Sequence, residues 1–376
     1  MIRHLFISIA VLSIIVSPVS VTAAPRSDRP IIQMAILLDT SNSMDGLIDQ
    51  ARTQLWEIVN EFIMAEKNGR RPDLEVALYE YGNNRLTSES GYIRQVLPLT
   101  TDLDRVSREL FALTTSGGNE FCGQVIQKTA RDLAWSASNE DLKTIFIAGN
   151  EPFTQGPVDY RDSVKEAVAR GITVNTIHCG TEQEGVRGEW KDGALLADGS
   201  YMSIDQNKAP VYLEAPQDKK LIELGHKLNE TYIGYGAEKQ AFISNQVEQD
   251  KNALTSSMQS SVNRAVFKSA SQYRNDKWDL LDALDHGTKK LSEIEVKDLP
   301  ENMQKMTPEE RLTYIDRKRE ERKSIQAEIR QLNSEREKFL ADKKKESAEN
   351  DPQTLDSVMT QSIQTMMKDK NFKSGK

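Results

Sequence analysis

The stretch Ile31–Gly46, IIQMAILLDTSNSMDG, decides how the rest of the chain is to be read. Ile31–Leu38 is a short apolar run, the pattern of a strand buried on both faces of a parallel sheet. It passes directly into Asp39-Thr40-Ser41-Asn42-Ser43-Met44-Asp45-Gly46, a loop rich in hydroxyls and carboxylates. Beyond that loop Leu47, Ile48, Ala51, Leu55, Ile58, Val59, Phe62 and Ile63 fall on one helical face. Strand, polar loop and amphipathic helix in that order put the loop at the carboxyl end of a parallel strand, where open α/β sheets bind ligands.

Working outward, the same alternation continues to about Gly236. Leu74–Tyr81, Ile93–Leu97, Leu142–Ala148 and Ile172–His178 read as strands. Val106–Leu113, Val125–Trp135, Val158–Arg170 and Leu221–Leu228 read as helices, with Gly171 as the C-cap of the third. Gly180 to about Gln217 reads as a loop-rich insertion with turn signals at Asp192-Gly193 and Asp198-Gly199, and Tyr201–Ile204 as an edge strand. The alternation predicts a mostly parallel sheet with helices on both faces.

The string DTSNSMDG after a buried strand resembles the metal-ion-dependent adhesion site of the von Willebrand factor A family, and the element order is similar from about Ile31 to Gly236. The resemblance implies a doubly wound, Rossmann-like α/β domain. It implies that Asp39, Ser41 and Ser43 help to hold Mg²⁺ or Mn²⁺, and that a protein partner completes the shell with an acidic contact residue. The chemistry is consistent: Mg²⁺ wants six hard oxygens in octahedral array, and neutral hydroxyl ligands leave positive charge on the ion. In the family a second loop supplies Thr and a third supplies Asp. Here Ser116-Gly117-Gly118-Asn119-Glu120-Phe121-Cys122-Gly123 puts Asn119 or Glu120 at the Thr position. Ala148-Gly149-Asn150-Glu151-Pro152 puts Gly149 where Asp is expected, so a Gly149→Asp change is expected to tighten binding. Asn119, Glu120 and Glu151 are therefore candidate metal ligands beside Asp39, Ser41 and Ser43. The same residues also admit a plainer reading, in which Asp39 and the serines cap the following helix and Glu120 and Glu151 complement helix dipoles.

After Gly236 glycine nearly vanishes, and Glu, Lys, Gln, Ser and Arg dominate. Trp278, Leu280, Leu281 and Leu284 suggest a packed helix, and Pro300 breaks the chain. Thr307 and Pro308 suit the N-cap and first position of a helix carrying Ile315, Ile325, Ile329, Leu332 and Phe339 near heptad spacing. Arg322 and Arg336 interrupt that seam, so it fits either a coiled coil or hairpin, with self-association through these helices, or a single solvated helix. The resulting organisation is a signal peptide at 1–23, the α/β domain at 31–236, an all-α, partly coiled-coil region at 237–345 and a disordered tail at 346–376.

The signal peptide rests on basic Arg3 and His4, an apolar stretch from Leu5 to about Val16, and small residues at Val21-Thr22-Ala23. A retained anchor is the other reading. The whole then resembles a bacterial, exported family member, periplasmic or secreted, without stable membrane insertion once the signal is removed. Export bears on the two cysteines, Cys122 and Cys179, both placed at the loop-bearing edge of the sheet. An even pair in an oxidising compartment predicts a disulfide, the other reading being two separate buried thiols.

A formal charge of −8 argues against nucleic-acid binding. No phosphate-binding glycine loop, nucleophile elbow or zinc-protease motif is present, and His178, His226 and His286 stand singly. The function expected is an exported binding or adhesion module and not an enzyme. The alternatives are a structural scaffold with a degenerate, metal-free site, and a hydrolase built on Asp39, Glu120 and Glu151.

Overall fold

The computed structural model describes residues 29–205, 212–346 and 355–374, so the expected signal peptide lies outside the described residues. The apolar run becomes β1 (Ile31–Asp39), and the amphipathic stretch becomes α1 (Asp45–Ile63), with its eight expected face residues buried. A short β2 (Ala65–Glu66) leads to β3 (Asp73–Tyr81), β4 (Ile93–Thr100), α2 (Leu103–Ala112) and α3 (Cys122–Asp132). Then come β5 (Leu142–Gly149), α4 (Tyr160–Ala169), which Gly171 closes at φ +71°, and β6 (Thr173–Cys179). The expected loop-rich insertion carries two short helices, α5 (Glu182–Arg187) and α6 (Trp190–Leu196), before the edge strand β7 (Tyr201–Ile204). Thr181 and Glu184 cap each other reciprocally to start α5, a local signal that outweighs the glycines nearby.

The sheet runs β4-β3-β1-β5-β6-β7, parallel throughout except for β4, which pairs antiparallel with β3. β1 is central, which is why its run is apolar at nearly every position. In register Asp39 stands beside Tyr81, and β5 ends next to them at Gly149. One face of the sheet packs on α1 and α2, the other on α3, α4 and α6.

The helical region that follows comprises α7 (Asp218–Asn229), α8 (Lys239–Ser256), α9 (Met258–Lys268), α10 (Leu280–Asp285), α11 (Glu301–Gln304) and α12 (Pro308–Glu346). Thr307 and Glu310 form the capping box that opens α12. The two arginines that break its heptad seam turn inward. Arg322 binds Asp279, Asp282 and the carbonyl of Thr231, and stacks 4.1 Å from the ring of Tyr232. Arg336 binds the fully buried Asp218 at 2.7 Å. Ile325, Ile329 and Leu332 pack on α7 and α9, so the seam is spent within this chain.

Two expectations are corrected here. The tail at 346–376 is not disordered over residues 355–374: it forms α13 (Leu355–Asp369) and β8 (Lys373–Ser374). Met359, Ile363, Met367 and Phe372 join the same apolar cluster as α1 and the sheet, and β8 pairs antiparallel with β2. Ser362 and Met366 also meet Asn175 of β6. The helical region thus lies between two parts of the α/β layer, and a boundary at Gly236 does not separate a free-standing arm. A buried ion network reinforces the junction. Arg264 of α9 bridges Asp104 of α2 (2.7 Å) and Asp250 of α8 (2.5 Å), and sits over Trp56 of α1. Lys268 binds Asp250 at 2.7 Å and Asn229 at 2.6 Å. Tyr273 donates to the second oxygen of Asp104.

Two outcomes are expected. Arg264→Ala leaves two buried carboxylates with less compensation, so urea unfolding should show a loss on the order of 3–5 kcal/mol, with sheet and helices still melting together. The second concerns pH. Burial, with the neighbouring Asp279 charge, pushes the Asp282 carboxyl up to about 7, while Arg322 acts the other way. Its folded value lies above the ordinary 3.8, so its contribution is present at low pH and is lost as pH rises through about 7. Unfolding free energies should therefore decline from about pH 4 to about pH 7 and level off above, and Asp282→Asn should flatten that decline.

Candidate functional site

The loop that follows β1 is held by backbone bonds to its neighbours. Thr40 N donates to the carbonyl of Tyr81, Ser116 N to that of Thr40, and Asn42 N to that of Gly117, all at 2.9–3.1 Å. These bonds fix Asp39 at the carboxyl end of β1, fully buried. Its Oδ1 accepts from Ser41 N at 2.7 Å. The hydroxyls of Ser41 and Ser43 lie 3.2 Å apart.

Glu120 comes in from the second loop and is 1% exposed. Its backbone N–H donates to Gln155 Oε1 at 2.5 Å, and its Oε2 accepts from Glu151 N at 3.3 Å. Gly82, at φ +79°, makes room for the meeting of the two acids: a Cβ there would lie 2.7 Å from Asp39 Oδ1 and 2.8 Å from Glu120 Cγ. Burial pushes the Asp39 carboxyl well above the usual carboxylate range, and the Glu120 charge adds to this. Burial also raises Glu120, assisted by Glu151 and opposed by its contacts with Asp39 and Ser41. Asp39 Oδ2 is buried with no hydrogen-bond donor. Two apposed buried carboxylates need either a proton or a cation between them.

Asp39, Ser41, Ser43 and Glu120 are thus brought together. Asn119 is not: its amide donates to Asn84 Oδ1 at 3.1 Å. Glu151 meets Glu120 through its backbone N–H, and its carbonyl accepts from Trp190 Nε1. The space a third-loop side chain would need is filled. A Cβ on Gly149 would lie 2.5 Å from Tyr81 Oη and 3.2 Å from both Asp39 Cβ and the Trp190 ring. Tyr81 is pinned there, donating to the carbonyl of Ala148 at 2.9 Å. No sequence signal marks Tyr81 or Trp190, because each reaches the site only through the strand order.

The donor set is all hard oxygen, two carboxylates and two hydroxyls, and with the orphaned Asp39 Oδ2 it fits a small divalent ion. Among the described residues no group of three or more His, Cys, Asp or Glu side chains is arranged to hold a metal ion, so serine hydroxyls would have to complete any such site.

The expected disulfide is also corrected. Cys122 and Cys179 are free, buried thiols. Cys122 packs with Tyr81 and the α3 face of the sheet, its thiol 3.8 Å from Tyr81 Oη, whereas Cys179 packs with Ile177 and Met202 on the α1 face. Both lie near the loop edge, but the sheet stands between them.

Residues 33–189 match the model of the von Willebrand factor type A domain. The chain contains a von Willebrand factor type A domain. Domains of this type are commonly protein-interaction modules. Solved structures similar to the chain include proximal thread matrix protein 1 from the mussel byssus with a zinc occupied MIDAS motif, at 11% identity over 48% of this chain and 43% of that one, TM-score 0.36. Another is an aerotolerance-related membrane protein from Bacteroides fragilis, at 18% identity over 46% of this chain and 92% of that one, TM-score 0.33. A third is the pilus adhesin SpaC from Lactobacillus rhamnosus GG, at 12% identity over 48% and 28%, TM-score 0.36. The chain spans less than half the length of the mussel protein. No curated protein matches it. No described helix is long and apolar enough to cross a membrane.

The filled space at Gly149 reverses the sequence expectation for that position. Gly149→Asp should destabilise the protein by about 1–3 kcal/mol, as overpacking does, without tightening metal binding. Thermal melts with and without Mg²⁺ check both parts.

Proposed function

We propose that this protein is an exported docking module whose type A domain binds a protein partner through a divalent cation, Mg²⁺ or Mn²⁺, held by Asp39, Ser41, Ser43 and Glu120. The observation that carries the reading is the pair of apposed buried carboxylates, one oxygen of which has no donor. Asp39 anchors the ion from the end of β1, the serine hydroxyls add neutral oxygens, and Glu120 supplies the carboxylate that Gly149 cannot. The bound ion would supply an electrophilic centre for an oxygen of the partner. The family resemblance implies an acidic contact residue there. In this reading the helical region is a rigid mount for the domain rather than a swinging spacer, because Arg264 ties it to Asp104 of the α/β layer and Arg322 and Arg336 brace its own helices against one another. Export rests on the N-terminal segment of the sequence.

A metal-free scaffold is the second reading, favoured by the way Tyr81 fills the third-loop space. Calorimetric titration separates the two. The wild-type protein should bind Mn²⁺ or Mg²⁺, and Asp39→Ala should abolish the heat. The same substitution should alter metal-free stability by no more than about 1 kcal/mol, the scale of a lost cap. Absence of heat and of any thermal shift in the wild type would establish the scaffold reading.

A further inference from the structure

One residue beside the two carboxylates stands in a backbone conformation that its side chain disfavours. Tyr92 has φ +57°, in the left-handed region, directly after Gly91 at φ +70°. Glycine adopts that region freely, but an aromatic residue does so at a cost, which persists only where the surroundings impose it. The surroundings here are a single helical turn at Ser88–Ser90, after which the Tyr92 N–H donates to the carbonyl of Thr87 at 3.1 Å.

The backbone and the ring of Tyr92 both lead to Glu120. Its carbonyl accepts from Gly82 N at 3.1 Å. Gly82 is the residue whose missing Cβ lets Asp39 and Glu120 approach, and its backbone also bridges to that of Asn119, immediately before Glu120. The Tyr92 ring meets Phe121, immediately after Glu120, edge to face with centroids 5.7 Å apart. Gly156, at φ +99°, leaves room for Phe121: a Cβ there would lie 2.7 Å from its ring. Glu120 is thus gripped through both of its chain neighbours, and Tyr92 serves one grip with its backbone and the other with its ring. A glycine at position 92 would keep the backbone grip without strain. What the strain retains is the ring, and an edge-to-face contact of this kind fixes the orientation of its partner.

We infer that Tyr92 is a positioning residue for the cation: its ring braces Phe121, and so holds Glu120 against Asp39. This rests on the cation reading and deepens it. Tyr92 acts through Glu120 and is not itself a ligand. The ion gains from carboxylates already in place, because a loose one has to be ordered when the ion binds.

The test uses the purified protein with Mn²⁺ as the probe, calorimetry for affinity and thermal melts of the metal-free protein for stability. Tyr92→Phe keeps the ring and should bind Mn²⁺ as the wild type does. Tyr92→Gly and Tyr92→Asn suit the left-handed backbone and lack the ring. Each should bind Mn²⁺ about tenfold more weakly while melting within a few degrees of the wild type, since relief of strain offsets the lost contact. Phe121→Ala should show a similar loss, and adding it to Tyr92→Asn should weaken binding little further, because the two residues act in series. Wild-type affinity in both ring-free variants, losses that add in the double variant, or weakened binding only in step with a lowered melting temperature would overturn the inference and leave the cation reading standing. No Mn²⁺ binding by the wild type would overturn both.

Discussion

Arg264 joins the two halves of this molecule. It is buried between Asp104, on a helix of the α/β layer, and Asp250, on a helix of the added region, and its guanidinium lies 4.6 Å from the ring centre of Trp56. A guanidinium removed from water is tolerable only when its donors and charge are matched, and here two carboxylates and a carbonyl do so. Asp250 in turn holds Lys268, which reaches Asn229 on α7. Four helices are thus tied to one connected network, and separating α2 or α8 from α9 would leave a buried ion unpaired.

Around that joint the chain returns to where it began. α13 lays Met359, Ile363 and Met367 on the α1 side of the sheet, and β8 closes on β2 at the end of α1. Methionine suits this place, since its flexible side chain fills irregular gaps. The helical region is therefore inserted between β7 and the last helix of the layer. Its charged surface is the solvated outside of a packed body, and Arg322 and Arg336, which look like flaws in a coiled-coil seam, are the residues that dock α12 on the other helices of the region.

The functional edge follows from the same sheet order. β1 lies between β3 and β5, so Asp39 is flanked by Tyr81 and Gly149. Tyr81 takes the third-loop space, and the second acid comes instead from Glu120. The outcome is a site with two apposed buried carboxyl groups, Asp39 and Glu120, beside two hydroxyls.

The sequence by itself determined the strand–loop–helix order, the buried face of α1 and the position of DTSNSMDG at a strand's carboxyl end. These are local facts: a strand or helix repeats over a few residues, and its burial is written in that repeat. The cap at Thr307 and the stop at Gly171 were legible for the same reason. Only the tertiary structure decided that Glu120 meets Asp39 while Asn119 turns to Asn84, and that Cys122 and Cys179 lie on opposite faces. It also decided that Arg322 and Arg336 face inward and that residues 355–374 return to the core. Each of these joins residues far apart in the chain. Such pairings depend on which strands are neighbours and which side of the sheet a helix covers, and no local periodicity carries that information.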